Sequence, residues 1–393
     1  MDDAEKLADR FRLHYNAASY RRLIAGTEVI LHCHHYNSRL QNTVEGASQI
    51  DGKAIIARAA EAAFAAQLAG ACRPGDDEAT RWSVAQHLYA HLGYGWFERS
   101  GDGVRATASH FVEGWNAAFG GRTTPLCTFT EGYLQAAHHA ATGELVQVVE
   151  RTCMITGAPA CTFELVRGRT APLATHAKQQ VAFSPRPLPA LPASGIDGKA
   201  IIDALVAMPI HGNTEGLIPA FGVYLASTPA DFYNCVCIDF VDEMTRVGLG
   251  TQARKLLVYD AETCSMNTFR GIMSSPEWEG LVAPMVKEPD DNLFGVVAVS
   301  NALGWGNWHV TSHQSGVAAR IESFQGYEAL GYREHRGTAH ETECLMLTGV
   351  AAGIMELIYS KGSIDERFGT FHSIEQQCIA TDRGTCVFAV EQT

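Results

Sequence analysis

The sequence predicts a mixed α/β (α+β) protein built from two tandem units, each closing in a helix followed by a β-hairpin. Three observations carry this. At 393 residues the chain exceeds what one hydrophobic core organises, and two domains of about 170–200 residues are the natural division. A series of short motifs recurs in the same order in both halves. Helical and strand-like segments are mixed within each half, so neither an all-α nor an all-β architecture fits.

In chain order, the N-terminal stretch MDDAEKLADRFRLHY reads as an amphipathic helix and lacks the basic and apolar regions of a signal peptide. His32-Cys33-His34-His35 falls on an expected strand, which would place His32 and His34 on one face. Lys53–Ala69, Thr80–His91 and Leu126–Ala141 read as helices from period and composition. Leu145–Arg151 and Ala160–Val166 read as strands joined by a Gly-Ala-Pro turn. The second half ends alike, with strands expected at Phe371–Ala380 and Thr385–Glu391 around Thr-Asp-Arg-Gly.

The repeat is found by its motifs. Val29-Ile-Leu31 aligns with Val223-Tyr-Leu225, and Leu92-Gly-Tyr-Gly95 with Leu303-Gly-Trp-Gly306. Gly114-Trp115 and Phe119-Gly120 match Gly326-Tyr327 and Leu330-Gly331, and Cys127-x4-Gly132 matches Cys344-x4-Gly349. The halves close on Cys153-x7-Cys161 and Cys378-x7-Cys386. The spacing between partners drifts from 194 to 225 residues, as loop growth in a duplicated unit would give. A second repeat, IDGKAII at Ile50–Ile56 and Ile196–Ile202, keeps no downstream partner and reads as coincidence. Pro185, Pro187, Pro189 and Pro192 mark an extended linker. The expected division is a His-rich first unit at 1–168, a linker at 169–195 and a second unit at 196–393.

Composition excludes some functions. A net charge of −13 without a Lys/Arg stripe argues against nucleic acid and against an anionic membrane surface. No stretch is a continuous apolar run of about 18 residues, so no membrane span is expected. A cytoplasmic location is expected, with the eleven cysteines as thiols or metal ligands.

The hairpins hold the strongest signal. Cys127 opens a helix, Glu150-x2-Cys153 lies on one strand and Cys161 opens the next; Cys344, Glu375, Cys378 and Cys386 repeat the set. Three thiolates and a carboxylate suit tetrahedral zinc, and a helix N-terminus favours a thiolate at Cys127. Buried cysteines serving as small hydrophobes are the alternative, weakened by the second copy with the same order.

A helix that starts with Cys and carries Gly132-Tyr133, then Gly143, Glu150-x2-Cys153, Gly157 and Cys161, resembles the 4-vinyl reductase domain family. It is similar in particular to the zinc-containing sensor domain of phenol-responsive transcription activators. The resemblance is looser in the second half, where eight extra residues separate Cys344 from Glu375 and Val350 stands in place of Tyr133. It implies a small antiparallel sheet packed with helices, two structural zinc sites and a buried pocket for an aromatic ligand. Members of the family dimerise, so a tandem copy implies an intramolecular pseudo-dimer; a homodimer of the whole chain is left open. No GxxxxGK[ST] phosphate loop is present, so the resemblance extends to the sensor domain alone.

Two further sets of residues are candidates for function. His87 and His91 sit at helical i, i+4 spacing and, with His32 and His34, could hold an additional transition metal with a catalytic role. Their second-half counterparts lack histidine; ordinary hydrogen-bonded histidines are the competing reading. Tyr94, Trp96, His110, Phe111 and Trp115, with Trp305, Trp308 and Tyr327, could line a pocket for a small hydrophobic or aromatic molecule, or be plain core aromatics. The expected function is a zinc-stabilised small-molecule-binding protein, with a metal-dependent enzyme acting from the first unit as the alternative.

Overall fold

The computed structural model describes residues 7, 9–175 and 177–393. Its centre is a pair of strands, one from each half. Thr27–Cys33 (β3) is buried from Val29 onward, and Val223–Pro229 (β9) is buried at all positions but Tyr224. Such unbroken burial is what a strand covered on both faces shows. The two pair antiparallel with Leu31 opposite Ser227, in a five-stranded sheet ordered β1-β2-β3-β9-β8. The other strands are His14–Asn16 (β1), Arg21–Ile24 (β2) and Ile218–Ala220 (β8). Residues 1–6 and 8 of the expected N-terminal helix lie outside the described residues. Within them, Asp9–Phe11 makes one 3-10 turn and His14–Asn16 is a strand, so the segment is not helical as far as Tyr15.

Each central strand feeds a similar succession of elements, with two short helices added in the second half. In the first half these are helices His34–Gly46 (α1), Gly52–Ala71 (α2) and Glu78–His91 (α3), then strands Gly95–Ser100 (β4) and Gly103–Ser109 (β5). Helices His110–Phe119 (α4) and Thr128–Thr142 (α5) follow, and then strands Val146–Thr152 (β6) and Cys161–Arg167 (β7). After the linker comes helix Gly198–Ala207 (α6), ahead of β8 and β9. The second half then runs Ala230–Arg246 (α7), Gly250–Met273 (α8), Pro276–Leu281 (α9) and Asp291–Ala302 (α10), and strands Trp308–Gln314 (β10) and Ala318–Ser323 (β11). It closes with Tyr327–Arg336 (α11), Leu345–Tyr359 (α12), the short Ile364–Arg367 (α13), and strands Phe371–Gln377 (β12) and Cys386–Gln392 (β13). Both four-stranded sheets are antiparallel and identically ordered, β4-β5-β7-β6 and β10-β11-β13-β12.

Helix starts put the first motif match in a slightly different register. Cys33 and Pro229 each precede a helix, so Leu31 corresponds to Ser227, two residues from the Val29–Val223 alignment. Those corresponding residues face each other in the ladder, as a two-fold arrangement requires. The Leu-Gly-aromatic-Gly motifs close the same contact reciprocally. Leu303 O accepts from Leu31 N at 3.0 Å, and Leu92 O accepts from Ser227 N at 2.8 Å. Tyr94 donates its hydroxyl to Thr228 Oγ1 at 2.8 Å, and Trp305 Nε1 donates to Leu31 O at 3.0 Å. Gly93 and Gly304 take φ of +94° and +92° where the opposite half passes close by, a position that suits glycine. The buried apolar residues accordingly form one cluster through both halves, not two separate cores.

The Cys-x4-Gly motif has a packing reason too. A Cβ on Gly132 of α5 would lie 2.2 Å from Ala57 O of α2, and one on Gly349 of α12 would lie 2.2 Å from Val258 O of α8. These glycines let each motif helix approach its neighbour's backbone. α2 spans 20 residues and is apolar enough by composition to cross a membrane; here it packs against α5 and α7. The two IDGKAII strings start α2 and α6, which occupy different places in their halves, yet do one local job. Asp51 and Asp197 cap their helices by accepting from Ala54 N and Ala200 N at 3.0 Å.

Candidate metal centres and ligand cavity

The local fold of each hairpin gathers the four ligand-type residues. Cys127 and Cys344 occupy the N-cap positions of α5 and α12. β6 and β12 each carry a register shift next to the glutamate, between Glu150 and Thr152 and between Glu375 and Gln377. Cys153 and Cys378 then begin 3-10 turns, closed by Gly157 at φ +90° and Asp382 at φ +62°, before Cys161 and Cys386 open the last strands. The eight extra residues of the second half fall in the segment holding α13, so Glu375 keeps the place of Glu150.

All eleven cysteines are free thiols. In the first cluster the Sγ atoms of Cys127, Cys153 and Cys161 are 3.9, 3.6 and 3.7 Å apart. In the second, Cys344, Cys378 and Cys386 are separated by 3.8, 3.4 and 4.0 Å. Thiolates 2.3 Å from a tetrahedral ion would be about 3.8 Å apart. In each cluster a carboxylate oxygen completes a set of four ligand atoms within 4.8 Å of one another. Glu150 Oε2 accepts from Cys127 N at 2.7 Å and Glu375 Oε2 from Cys344 N at 2.9 Å, whereas both Oε1 atoms are buried without a partner. Backbone amides reach the sulfurs, Met154 N to Cys161 at 3.4 Å and Ile379 N to Cys386 at 3.3 Å. Burial pushes the Glu150 carboxyl up to about 8 and that of Glu375 up to about 9. Hydrogen bonds from the neighbouring thiols instead favour the thiolates of Cys153 and Cys378, and two buried donor sets of this kind could each hold a metal ion whose charge compensates the remaining groups as they ionise.

The four candidate histidines do not converge. β3 ends at Cys33, so His34 begins α1 and no longer shares a strand face with His32. His34 Nδ1 accepts from Tyr224 N at 3.0 Å. His32 is buried between Tyr36 and Trp305, at ring distances of 4.4 and 5.0 Å, with neither ring nitrogen partnered. His87 Nδ1 donates to Ser83 O at 2.8 Å, and His91 stacks on His211. None of the four belongs to a group of three or more metal-ligand side chains among the described residues, so the structure does not bring them together as one site.

The candidate ligand aromatics divide. Tyr94 and Trp305 are engaged across the halves. Phe111 packs on Tyr94 and Phe129, His110 Nε2 accepts from Asn37 at 2.8 Å, Trp96 meets the edge of His87, and Trp115 lies under the Arg122 guanidinium. Trp308 and Tyr327 each line a cavity. Trp308 lines one of about 320 Å³ beside α6 and the linker. Tyr327 lines one of about 230 Å³ between α7, the start of α8, α11 and the loop that carries Cys344.

The Tyr327 cavity is walled by Tyr233, Cys237, Val241, Arg254, Glu328, Tyr332, Glu343 and Leu345 among others. Glu328 is fully buried and its carboxyl is pushed up to about 8 by that burial; its oxygens accept from Met346 N and Leu347 N, both at 2.9 Å. Arg254 holds Glu343 Oε2 at 3.0 Å and bonds Thr342 O. The wall thus fixes the loop that positions Cys344. In the first half the corresponding positions carry polar side chains bonded to one another. Glu45 accepts from Gln41, Arg122 and Thr128 at 2.8, 2.6 and 3.0 Å, where the second half has Cys237, Val241 and Leu345 at the positions of Gln41, Glu45 and Thr128. Sequence reasoning missed this difference because it lies in polar residues of α1 that α7 replaces with Cys237 and Val241.

Residues 112–167 match the 4-vinyl reductase domain, a segment that runs from α4 to the end of β7 and contains the whole first cluster. Among solved structures the chain is similar to the phenol-responsive sensory domain of the transcription activator PoxR with phenol. Sequence identity is 17% over 41% of this chain and 86% of that chain, with a TM-score of 0.34. No curated protein matches the sequence.

Proposed function

We propose that this chain, which carries a 4-vinyl reductase domain at residues 112–167, is a small-molecule-binding protein whose halves are each stapled by zinc. The observation that supports zinc most is the recurrence of one donor set, three sulfurs at tetrahedral spacing and a carboxylate with a buried unpartnered oxygen, at corresponding places in both halves. Soft thiolates disfavour magnesium and calcium, and a closed four-ligand set suits a structural role. The reading takes 1–168 and 196–393 as duplicated units. Eleven unpaired thiols accord with a reducing compartment such as the cytoplasm.

The ligand is assigned to the Tyr327 cavity. At the equivalent positions the first half carries the hydrogen-bonded Gln41, Glu45 and Thr128, and this difference between the halves singles out the cavity. Its tyrosine rings and apolar side chains suit a small hydrophobic or aromatic molecule, and Arg254, Glu343 and Asn234 supply polar anchors. At about 230 Å³ it suits a single ring with few substituents, below the ~300–1,000 Å³ of drug-sized pockets.

Native mass spectrometry with metal analysis of the whole chain tests both parts. We expect two zinc ions per chain, and thermal stabilisation by simple phenols that Val241→Phe, narrowing the cavity, removes without loss of zinc. A chain free of zinc, or ligand binding untouched by Val241→Phe, refutes the corresponding part.

A further inference from the structure

α7 contributes to a third gathering of metal-ligand side chains. Asp231 and Cys235 stand one helical turn apart, and His335 of α11 packs over both. His335 Nε2 lies 2.6 Å from Asp231 Oδ1 and 3.7 Å from Cys235 Sγ, and the three ligand atoms are within 4.8 Å of one another. The Cys235 and His335 side chains are both almost wholly buried. Lys178, from the linker, sets its ammonium 2.9 Å from Asp231 Oδ1 and 3.2 Å from Glu334. Asp231 and Lys178 together line a groove of about 1160 Å³ along the alanine-rich face of α2.

We propose that Asp231, Cys235 and His335 form a third metal site, separate from the two Cys-rich clusters, for a divalent transition metal such as zinc or cobalt(II). One thiolate, one imidazole and one carboxylate make a borderline donor set that excludes magnesium and calcium. For bonds of about 2.0–2.3 Å to a tetrahedral ion, donor separations run about 3.3–3.6 Å. The Cys235–His335 spacing is close to this, and the Asp231–His335 pair has to open by less than about 1 Å. Three protein ligands leave a fourth position, as in zinc sites that bind a small molecule or water. Asp231 borders the groove, so that position faces it. The Lys178 ammonium already marks the place as one that favours a cation; a metal ion takes over its charge partner and sends it back to Glu334. The site does not depend on the zinc staples or on the tyrosine cavity.

The test uses the full chain as purified, with resident metals counted first. Cobalt(II) is then added, and thiolate-to-cobalt charge-transfer absorption is read in wild type, Cys235→Ser, His335→Gln and Lys178→Ala. We expect one further cobalt equivalent in wild type, lost in Cys235→Ser and in His335→Gln. Lys178→Ala changes only an extended linker and keeps all three ligands. It should tighten cobalt binding about tenfold by removing a competing charge, the scale on which groups next to a metal site act. Cobalt that merely replaces zinc in the Cys-rich clusters would persist in Cys235→Ser. Equal uptake by wild type and Cys235→Ser, or unchanged affinity in Lys178→Ala, overturns the proposal.

Discussion

A buried imidazole with neither nitrogen partnered, as at His32, is costly, because it gives up water without gaining a hydrogen bond. Burial depresses its pKa to about 3. In the unfolded chain the same ring takes a proton below about pH 6.5. The unfolded state therefore binds more protons between those values, so stability is full above pH 6.5 and falls as pH drops toward 3. His110, pushed to about 3 by burial, acts in the same window. We expect His32→Phe to hold or raise stability at pH 7 and to flatten the acid loss by about 1.4 kcal/mol per pH unit below 6.5. Urea midpoints at pH 7.5, 6.5 and 5.5, read for both proteins, check this; a variant that loses stability at every pH would mean the ring has a partner after all. The cysteines act differently. On the proposed zinc reading, Cys153→Ser or Cys378→Ser removes one donor from a closed set, and a structural metal contributes folding free energy directly. Both variants should be poorly soluble or melt far below wild type, and a chelator should lower the wild-type midpoint. Unchanged melting in either variant would rule out stapling by that cluster.

At the level of elements, helix pairing turns on single glycines. Adding a Cβ at Gly132 or Gly349 meets a carbonyl oxygen at 2.2 Å, and backbone cannot swing aside as a side-chain tip can. Gly132→Ala and Gly349→Ala should each cost about 1–3 kcal/mol by forcing α2 from α5, or α8 from α12. Gly46, at the end of α1 with nothing within 4 Å of an added Cβ, is the control, and Gly46→Ala should be neutral or slightly stabilising. Denaturant midpoints of the three variants decide this, and equal behaviour of all three would discount the close approach.

For the whole molecule the β3–β9 ladder is the decisive contact. Separating the halves would expose two largely buried strands along an open edge, together with Leu92, Tyr94, Leu303 and Trp305, whose hydrogen-bond partners lie across it. Cleavage near Ser184, in the extended linker, should give two fragments that aggregate when made singly and re-associate when made together. Two monodisperse fragments that ignore each other on gel filtration would contradict this. The covalent chain holds its two partners at one another's strand edges whatever its concentration, which a dimer of separate units does not.

What could be read without coordinates was whatever is written locally. Helical period and composition located Gly52–Ala71 and Glu78–His91 to within two residues of each end, and alternating strands around tight turns located both closing hairpins. The gathering of the Cys and Glu side chains was legible because a hairpin brings Cys-x7-Cys together by local geometry and because the pattern occurs twice. Tertiary structure decided the rest. The end of β3 at Cys33, one residue earlier than an unbroken strand would need, scattered the histidines. Tyr94 and Trp305 became cross-half donors because their partners lie more than 100 residues away in sequence. Asp231 and Cys235 are visible as a helical pair, but nothing local announces His335, 100 residues beyond Cys235, as the third member. Period and spacing report on neighbours along the chain, whereas cavities and side-chain clusters depend on which distant helices pack together. That packing is set by burial summed over the whole molecule.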